Sequence, residues 1–351
     1  MVFMTSNEKK IKWLGIHDHA NYAAKWLDQE TPYSWLRVFE KADCIERHAF
    51  LREGNLSHKM SGPIRGVNYR FFKEGFESWV EEIEKLSPDV ILYNLCWYSD
   101  AIKPLVRLKA SLPNSIHIIR VHHDVSYLSM QRGFKETVLE CDVAIVPTEN
   151  QAEELRNIGF SGDTHVLPFG INQNEFNIYK KEFKERRIDI ISATNTHPAR
   201  NLPLLNKVYE KLTAKGINVK NVVGLPRTEL SELLGDSKIF LLTSMTEASG
   251  SRIMLEAIAA GCYPIAFAEC RTAKEVLDSH GFGTVINTEI KLKMPQKKVK
   301  VPFFAASNIS NRIHTMLNEL KGFDGSQIRL SDDYFYDNEI EKLLNILRRY
   351  G

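Results

Sequence analysis

The string SMTEASGSRIMLEAIAAGCYPIAF runs from Ser244 to Phe267. It follows an apolar run, Lys238 to Thr243, too short for a helix and bounded by polar residues, which predicts a buried strand. A loop of small and hydroxyl residues comes next, ending in Gly250 and Ser251. Then Ile253, Met254, Ala257, Ile258 and Ala260 recur at helical spacing until Gly261 stops the helix, and Tyr263 to Phe267 reads as the following strand. A strand, a small-residue loop and a helix N-terminus leave backbone N–H groups free at the positive end of the helix, which suits phosphate. Glu247 opens the loop and Glu256 lies in the first turns of the helix. An ordinary buried strand-loop-helix unit with surface glutamates is the alternative that the pattern leaves open.

Two carboxylates beside a phosphate site fit a nucleotide-sugar, whose hydroxyls need acceptors while its diphosphate needs donors. With these residues the segment resembles the signature of retaining glycosyltransferases of the GT-B type (group 1, or family 4-like). The resemblance implies that Glu247 holds the donor sugar and Glu256 the ribose, and the loop at Gly250 and Ser251 offers its N–H groups to the phosphates. The interval from Glu247 to Glu256 is one residue longer than the family's usual spacing.

Outward from this segment the composition is that of an ordinary soluble protein. The 351 residues are 43% hydrophobic and 26% charged, enough for two domains. Forty-six Lys and Arg stand against 44 Asp and Glu, so the whole-chain balance of +2 announces neither a nucleic-acid nor a membrane partner. Five scattered cysteines, without a CxxC pair, predict reduced core residues in a cytoplasmic protein and no zinc. Met1 to Lys10 lacks the apolar centre of a signal peptide, and no run reaches membrane-spanning length.

The first half alternates. Strands are predicted at Ile11–Ile16, around Cys44–Ile45, at Pro88–Asn94, Ile116–Val121 and Val143–Val146, and helices at Tyr33–Lys41, Phe72–Leu86 and Ala101–Leu112. Such alternation calls for a mostly parallel sheet covered on both faces. The loop His17 to Asn21 follows the first strand, where open α/β sheets bind ligands; acceptor contacts, a metal and plain loop polarity all remain open there. From Arg47 to Lys73 basic residues interleave with Phe50, Tyr69, Phe71 and Phe72, either to grip an anionic partner or as a solvated loop with its aromatics tucked inward. At the end of the Ile116–Val121 strand stand His122, His123 and Asp124. The GT-B resemblance places His123 against the donor sugar; Asp124 beside it would fix the tautomer of a neutral imidazole. The stretch from Val125 to Val143 is similar, over a short and unspecific span, to T-even phage DNA α-glucosyltransferases.

His165 to Asn172 resembles the segment that closes the first GT-B domain, with Phe169 where Asn is common. The charged run Lys180 to Arg187 predicts a solvated linker. A second alternating domain begins at Ile188, and its first strand opens into Thr194 to Leu205. By the resemblance, Arg200 takes the position of a lysine that neutralises the donor diphosphate, while Asn195 stands where the family has an arginine. Arg252 is the candidate replacement for that lost cation. Strand Asn221–Gly224 leads to Leu225-Pro226-Arg227, where the nucleobase would rest on backbone groups beside Gly224, and Thr228 is a plausible N-cap. Beyond, Lys291 to Pro302 carries five lysines and no acid, either a solvated loop or the one cluster suited to nucleic-acid phosphate or acidic lipid.

The expected architecture is therefore α/β, a GT-B fold of two Rossmann-like domains facing across a cleft. Residues 1–178 would form the acceptor domain and 188–330 the nucleotide-sugar domain, with 331–351 a C-terminal helix crossing back. The resemblance implies metal-independent transfer with retention from a UDP-, GDP- or ADP-sugar, with no cofactor. The acceptor would be a glycan or lipid-linked intermediate, at the inner membrane face by peripheral contact. Hydroxymethylated duplex DNA is the rival acceptor, and a catalytically inactive sugar-binding or scaffold protein the rival of another class.

Overall fold

The computed structural model of the chain describes residues 11–17, 46–52, 62–64, 66–72, 76–94, 101–247, 251–293 and 298–350. The expected helix at 33–41, most of the loop at 17–21, Gly250 and residues 294–297 lie outside them. The chain divides into two units, Met1–Leu167 with Glu339–Gly351, and Pro168–Asn338.

In the first unit β1 (Lys12–His17), β2 (Glu46–Arg52), β3 (Gly62–Ile64) and β4 (Val67–Phe72) precede α1 (Val80–Leu86) and β5 (Val90–Asn94). Then come α2 (Ile102–Ser111), β6 (Ile116–Arg120), α3 (Val125–Leu128), α4 (Phe134–Leu139), β7 (Val143–Val146), α5 (Glu149–Asn157) and β8 (Asp163–Val166). Among the described residues they form an eight-stranded sheet in the order β3-β4-β2-β1-β5-β6-β7-β8, parallel except for β3 against β4. Every residue of β5 and β7 is buried, as a strand covered on both faces requires. Leu14, Ile91, Ile119 and Ala144, one from each central strand, share one core.

Two expectations change here. The described parts of the basic and aromatic stretch from Arg47 are mainly sheet: β2 and β4 pair in parallel, and Phe50 and Tyr69 are buried within them, tucked inward as one reading expected. Phe72 ends β4 instead of starting a helix; after it a 3-10 turn, Phe76–Trp79, leads into α1. The pairing of β4 with β2 claims residues whose apolar spacing also suits a helix.

In the second unit α6 (Gln173–Asn177) precedes β9 (Ile188–Ser192), α7 (Leu202–Thr213), β10 (Val219–Asn221), α8 (Arg227–Gly235), β11 (Ser237–Leu242), α9 (Arg252–Ala259) and β12 (Tyr263–Phe267). It continues through α10 (Arg271–His280), β13 (Thr284–Ile286), the strand pair β14 (Lys291–Lys293) and β15 (Lys298–Lys300), and α11 (Ala305–Glu319). The last helix, α12 (Tyr336–Tyr350), extends from this unit into the C-terminal part of the first. The five main strands are all parallel, in the order β10-β9-β11-β12-β13. Ile190, Leu205, Phe240, Leu255, Ile265 and Ile313 meet in the core between this sheet and its helices.

The charged run before β9 is exposed apart from Phe183 and Arg186. Arg186 is buried, and its guanidinium donates to the carbonyls of Lys181, Ser237, Ala260 and Gly261. Those oxygens include the end of α9 and the turn after it, which have no partner within the helix. Gly261, at φ +78°, closes that helix in the left-handed conformation expected of it. Cys141, Cys262 and Cys270 are buried. No helix among the described residues is long and apolar enough to cross a membrane.

Candidate functional site

At the carboxyl ends of β9, β10 and β11 three loops of the second unit gather. Parallel α/β sheets bind ligands at this end because helix N-termini point there. The loop after β9 is tied down by a reciprocal pair: the Thr194 amide donates to Asn221 Oδ1 at 2.9 Å, and Asn221 Nδ2 donates to the Thr194 carbonyl at 2.9 Å. A 3-10 turn, Pro198–Arg200, then presents Arg200. Thr243 Oγ1 donates to the Arg200 carbonyl at 2.7 Å, and the Met245 amide to the Ala199 carbonyl at 2.8 Å, so the two loops are laced together.

That lacing joins two residues singled out from the sequence. The Arg200 guanidinium forms an ion pair with Glu247 and donates to Ser244 Oγ at 3.2 Å. The Glu247 carboxylate is almost fully buried, whereas Arg200 keeps 27% of its side chain exposed. Asn195 is exposed, and its side chain accepts from the His197 amide at 2.9 Å, a turn-forming bond that leaves no cation at that position.

Glu256, on α9, is also buried. Arg227 Nη1 donates to Glu256 Oε1 at 3.0 Å, while Nε and Nη2 of the same guanidinium grip both oxygens of Glu175 at 2.6 and 2.9 Å. The Arg227 guanidinium also lies 5.0 Å from the Phe176 ring centre. Burial works against the Arg227 charge, but the bonds to Glu175 and the attraction of Glu256 outweigh it and hold its pKa above the ordinary value. For Glu256, burial dominates and lifts the carboxyl above the usual range, opposed by Arg227 and Arg252. Cations placed beside a buried carboxylate favour its ionised form, against the burial that disfavours it.

The helix that carries Glu256 has Ser251 as its N-cap, buried and at φ +77°, a conformation that strains any residue with a Cβ. Arg252, the first residue of α9, places its guanidinium 5.9 Å from the Phe169 ring centre. Arg252 and Phe169, noted separately in the sequence, thus meet. Gly224 lies beyond β10, which ends at Asn221, and is exposed at φ +69° with open space around its Cα. The helix after it begins at Arg227 with Pro226 as N-cap, and Thr228 lies inside its first turn. Proline preceding the first helical residue takes the place predicted for a hydroxyl.

In the first unit the strand end after β6 separates the two histidines. His122 is buried and bonded through Nε2 to Asn94 Oδ1, whereas His123 is half-buried, its ring 6.0 Å from that of Tyr127. Asp124 is buried, and its Oδ1 accepts from Gln151 Nε2 at 3.3 Å. One strand turn earlier Arg120 and Glu339, both fully buried, form an ion pair. His117, also buried, meets the Tyr93 hydroxyl at 2.8 Å, and burial pulls its pKa down to about 4. Among the described residues no group of three or more His, Cys, Asp or Glu is placed to hold a metal ion.

Sequence reasoning missed Glu175 and the side chain of Arg227, as well as Arg120 and Glu339. The partners lie 52 and 219 positions apart, so no local spacing could reveal them. The one signal was Arg227 itself, a cation at the mouth of a strand-helix loop.

Residues 205–299 match the family described as Glycosyl transferases group 1, a span that holds Arg227, Glu247, Arg252 and Glu256. Among solved structures the chain is similar to Anabaena HepE in complex with UDP and glucose, with TM-score 0.66 and 12% identity over 97% of this chain and 100% of that one. It is similar also to sucrose-phosphate synthase of Thermosynechococcus elongatus, with TM-score 0.64 and 13% identity over 97% and 99%. A glycosyltransferase of Rickettsia africae gives TM-score 0.63 and 12% identity over 97% and 98%. No curated protein sequence matches. The fold is GT-B, with two Rossmann-like domains.

Proposed function

We propose that the chain is a glycosyltransferase that moves a sugar from a nucleotide-sugar to a hydroxyl acceptor with retention of configuration. The observation that carries this reading is the pairing at one sheet end of two buried carboxylates with two arginines, Glu247 with Arg200 and Glu256 with Arg227. A nucleotide-sugar needs both kinds of group. Its diphosphate competes with Glu247 for Arg200, and the carboxylate so released accepts from sugar hydroxyls. Glu256, held beside Arg227, accepts from the ribose. The N-terminus of α9 and Arg252 add positive potential for the diphosphate.

In the reaction the bond from the anomeric carbon to the diphosphate oxygen breaks and a bond to the acceptor oxygen forms. The acceptor proton passes to the leaving diphosphate, so no protein general base is assigned. Arg200 and the α9 amides stabilise the charge that grows on the leaving group. Asp124 holds the loop that carries His123, the residue that the GT-B resemblance assigns to the donor sugar. A glycan or lipid-linked acceptor is the class proposed. HepE, which binds UDP and glucose, makes a UDP-sugar the first donor to try.

A protein that binds the donor without turnover is the second reading, favoured by the exposed Asn195 in place of a cation. One experiment separates the two. Thermal shifts of the native chain and of Glu256→Ala are recorded with UDP-, GDP- and ADP-sugars, followed by release of the nucleoside diphosphate from the ligand that binds, in the presence of glycan and lipid-linked hydroxyl acceptors. A ligand that stabilises only the native chain and is consumed supports transfer. Binding without consumption supports the second reading, and no shift with any donor sinks both.

A further inference from the structure

The strands β14 and β15 run antiparallel, and their register sets Lys291 against Lys300. Like charges directly opposite each other across a strand pair repel. The central pair is Leu292 with Val299, and Val299 packs against the core of the second unit, while Lys291 and Lys300 are exposed. Immediately after β15, Phe303 is 91% and Phe304 66% exposed. Their rings pack edge to face on each other, 5.0 Å apart. Each ring left in water forgoes the transfer free energy that drives aromatic side chains inward. This surface therefore carries two unfavourable features side by side, concentrated positive charge and exposed apolar rings.

A partner that relieves both must offer negative charge and an apolar interior in the same plane. An anionic bilayer does: headgroups meet the lysines, and the boundary beneath them takes the rings. Nucleic acid relieves the charge, but its readers favour the planar fork of arginine, and every cation of this strand pair is lysine. The surface also has a position that suits a lipid-borne acceptor, because β15 packs beside the 3-10 turn that presents Arg200.

We propose that β14, β15 and the Phe303–Phe304 pair form a docking surface for an anionic lipid bilayer. The claim concerns binding alone and stands independently of the transfer reading. The test is co-sedimentation of the full chain with vesicles of phosphatidylcholine, with and without phosphatidylglycerol. The chain should sediment only with the anionic vesicles, and salt should release it. Lys291→Glu/Lys300→Glu should weaken binding roughly fivefold or more for each lysine replaced, and Phe303→Ser/Phe304→Ser should abolish retention at moderate salt. All four side chains are exposed, so the variants should keep the native melting point, and the Phe303→Trp variant should show a blue-shifted emission on anionic vesicles. A native chain that stays in the supernatant overturns the proposal. So do charge or serine variants that sediment like the native chain, a Phe303→Trp variant whose emission vesicles leave unchanged, or salt-sensitive binding to DNA with no binding to vesicles.

Discussion

Arg227 shows how much one guanidinium can organise. Three of its nitrogens are spent on two carboxylates, and its face lies on the Phe176 ring. Glu175 thus fixes the arginine, and the arginine fixes Glu256, a chain of positioning that ends on the carboxylate proposed for the ribose. Removing Arg227 leaves Glu256 buried beside Arg252 alone, and burial then drives it toward the neutral acid, a poorer acceptor. Arg227→Gln should cost about tenfold in affinity for a ribonucleoside diphosphate, the weight of one hydrogen bond to a charged group. The 2′,3′-dideoxy analogue, lacking the hydroxyls, should bind native and variant equally in calorimetry. Equal loss for both nucleotides would show that Arg227 merely supports the fold. Glu256 was legible in the sequence because its partners in the argument, Glu247 and Gly261, lie within one strand-loop-helix stretch. Arg227 and Glu175 were not, since only the packing of α6 against α8 brings them together.

At the scale of elements, strands and helices whose cores are apolar runs stood out in the sequence, from β5 and β7 to α9 and β12, because two-sided burial leaves an unbroken hydrophobic signature. Elements went astray where charge or aromatic content masked pairing, as in β2 and β4, or where an arginine is buried for its donors, as in Arg186. The entry to α9 is another feature that spacing could not show. Ser251 holds φ +77° with its side chain buried, directly before the helix that carries Glu256. The strain is worth about 1–3 kcal/mol in a residue with a Cβ and is absent in glycine. Ser251→Gly should therefore raise the melting point by about 2–4 °C, while Ser251→Val, branched at Cβ, should lower it. If donor binding uses the strained loop as it stands, the glycine variant should also bind the donor more weakly, since a relaxed loop must be ordered again. A glycine variant that melts at or below the native temperature would show that the Ser251 side chain contributes more than its backbone costs.

Over the whole chain, residues Glu339–Gly351 group with Met1–Leu167 in one unit. The residue that ties them in is not one that periodicity selects. Glu339 is completely buried and pairs with Arg120 at the end of β6, while Ile340, Leu343 and Leu347 supply the apolar contact along the same helix. Farther along, the Tyr350 hydroxyl donates to Asp163 at 2.8 Å and meets His165 at 2.6 Å, a second tie at β8. A buried pair adds little net stability because both charges have left water, but breaking it strands one charge in the interior. Glu339→Ala should therefore destabilise the first unit by about 3–5 kcal/mol, seen as lost hydrogen-exchange protection in both β6 and α12. Arg120→Met/Glu339→Leu, which removes both charges and keeps the volume, should restore most of that protection. The two variants together separate charge from packing. If the apolar double variant is as unstable as the single one, the pair's hydrogen bonds are what hold α12 to the sheet; if the single variant is as protected as the native chain, the tie rests on Ile340, Leu343 and Leu347.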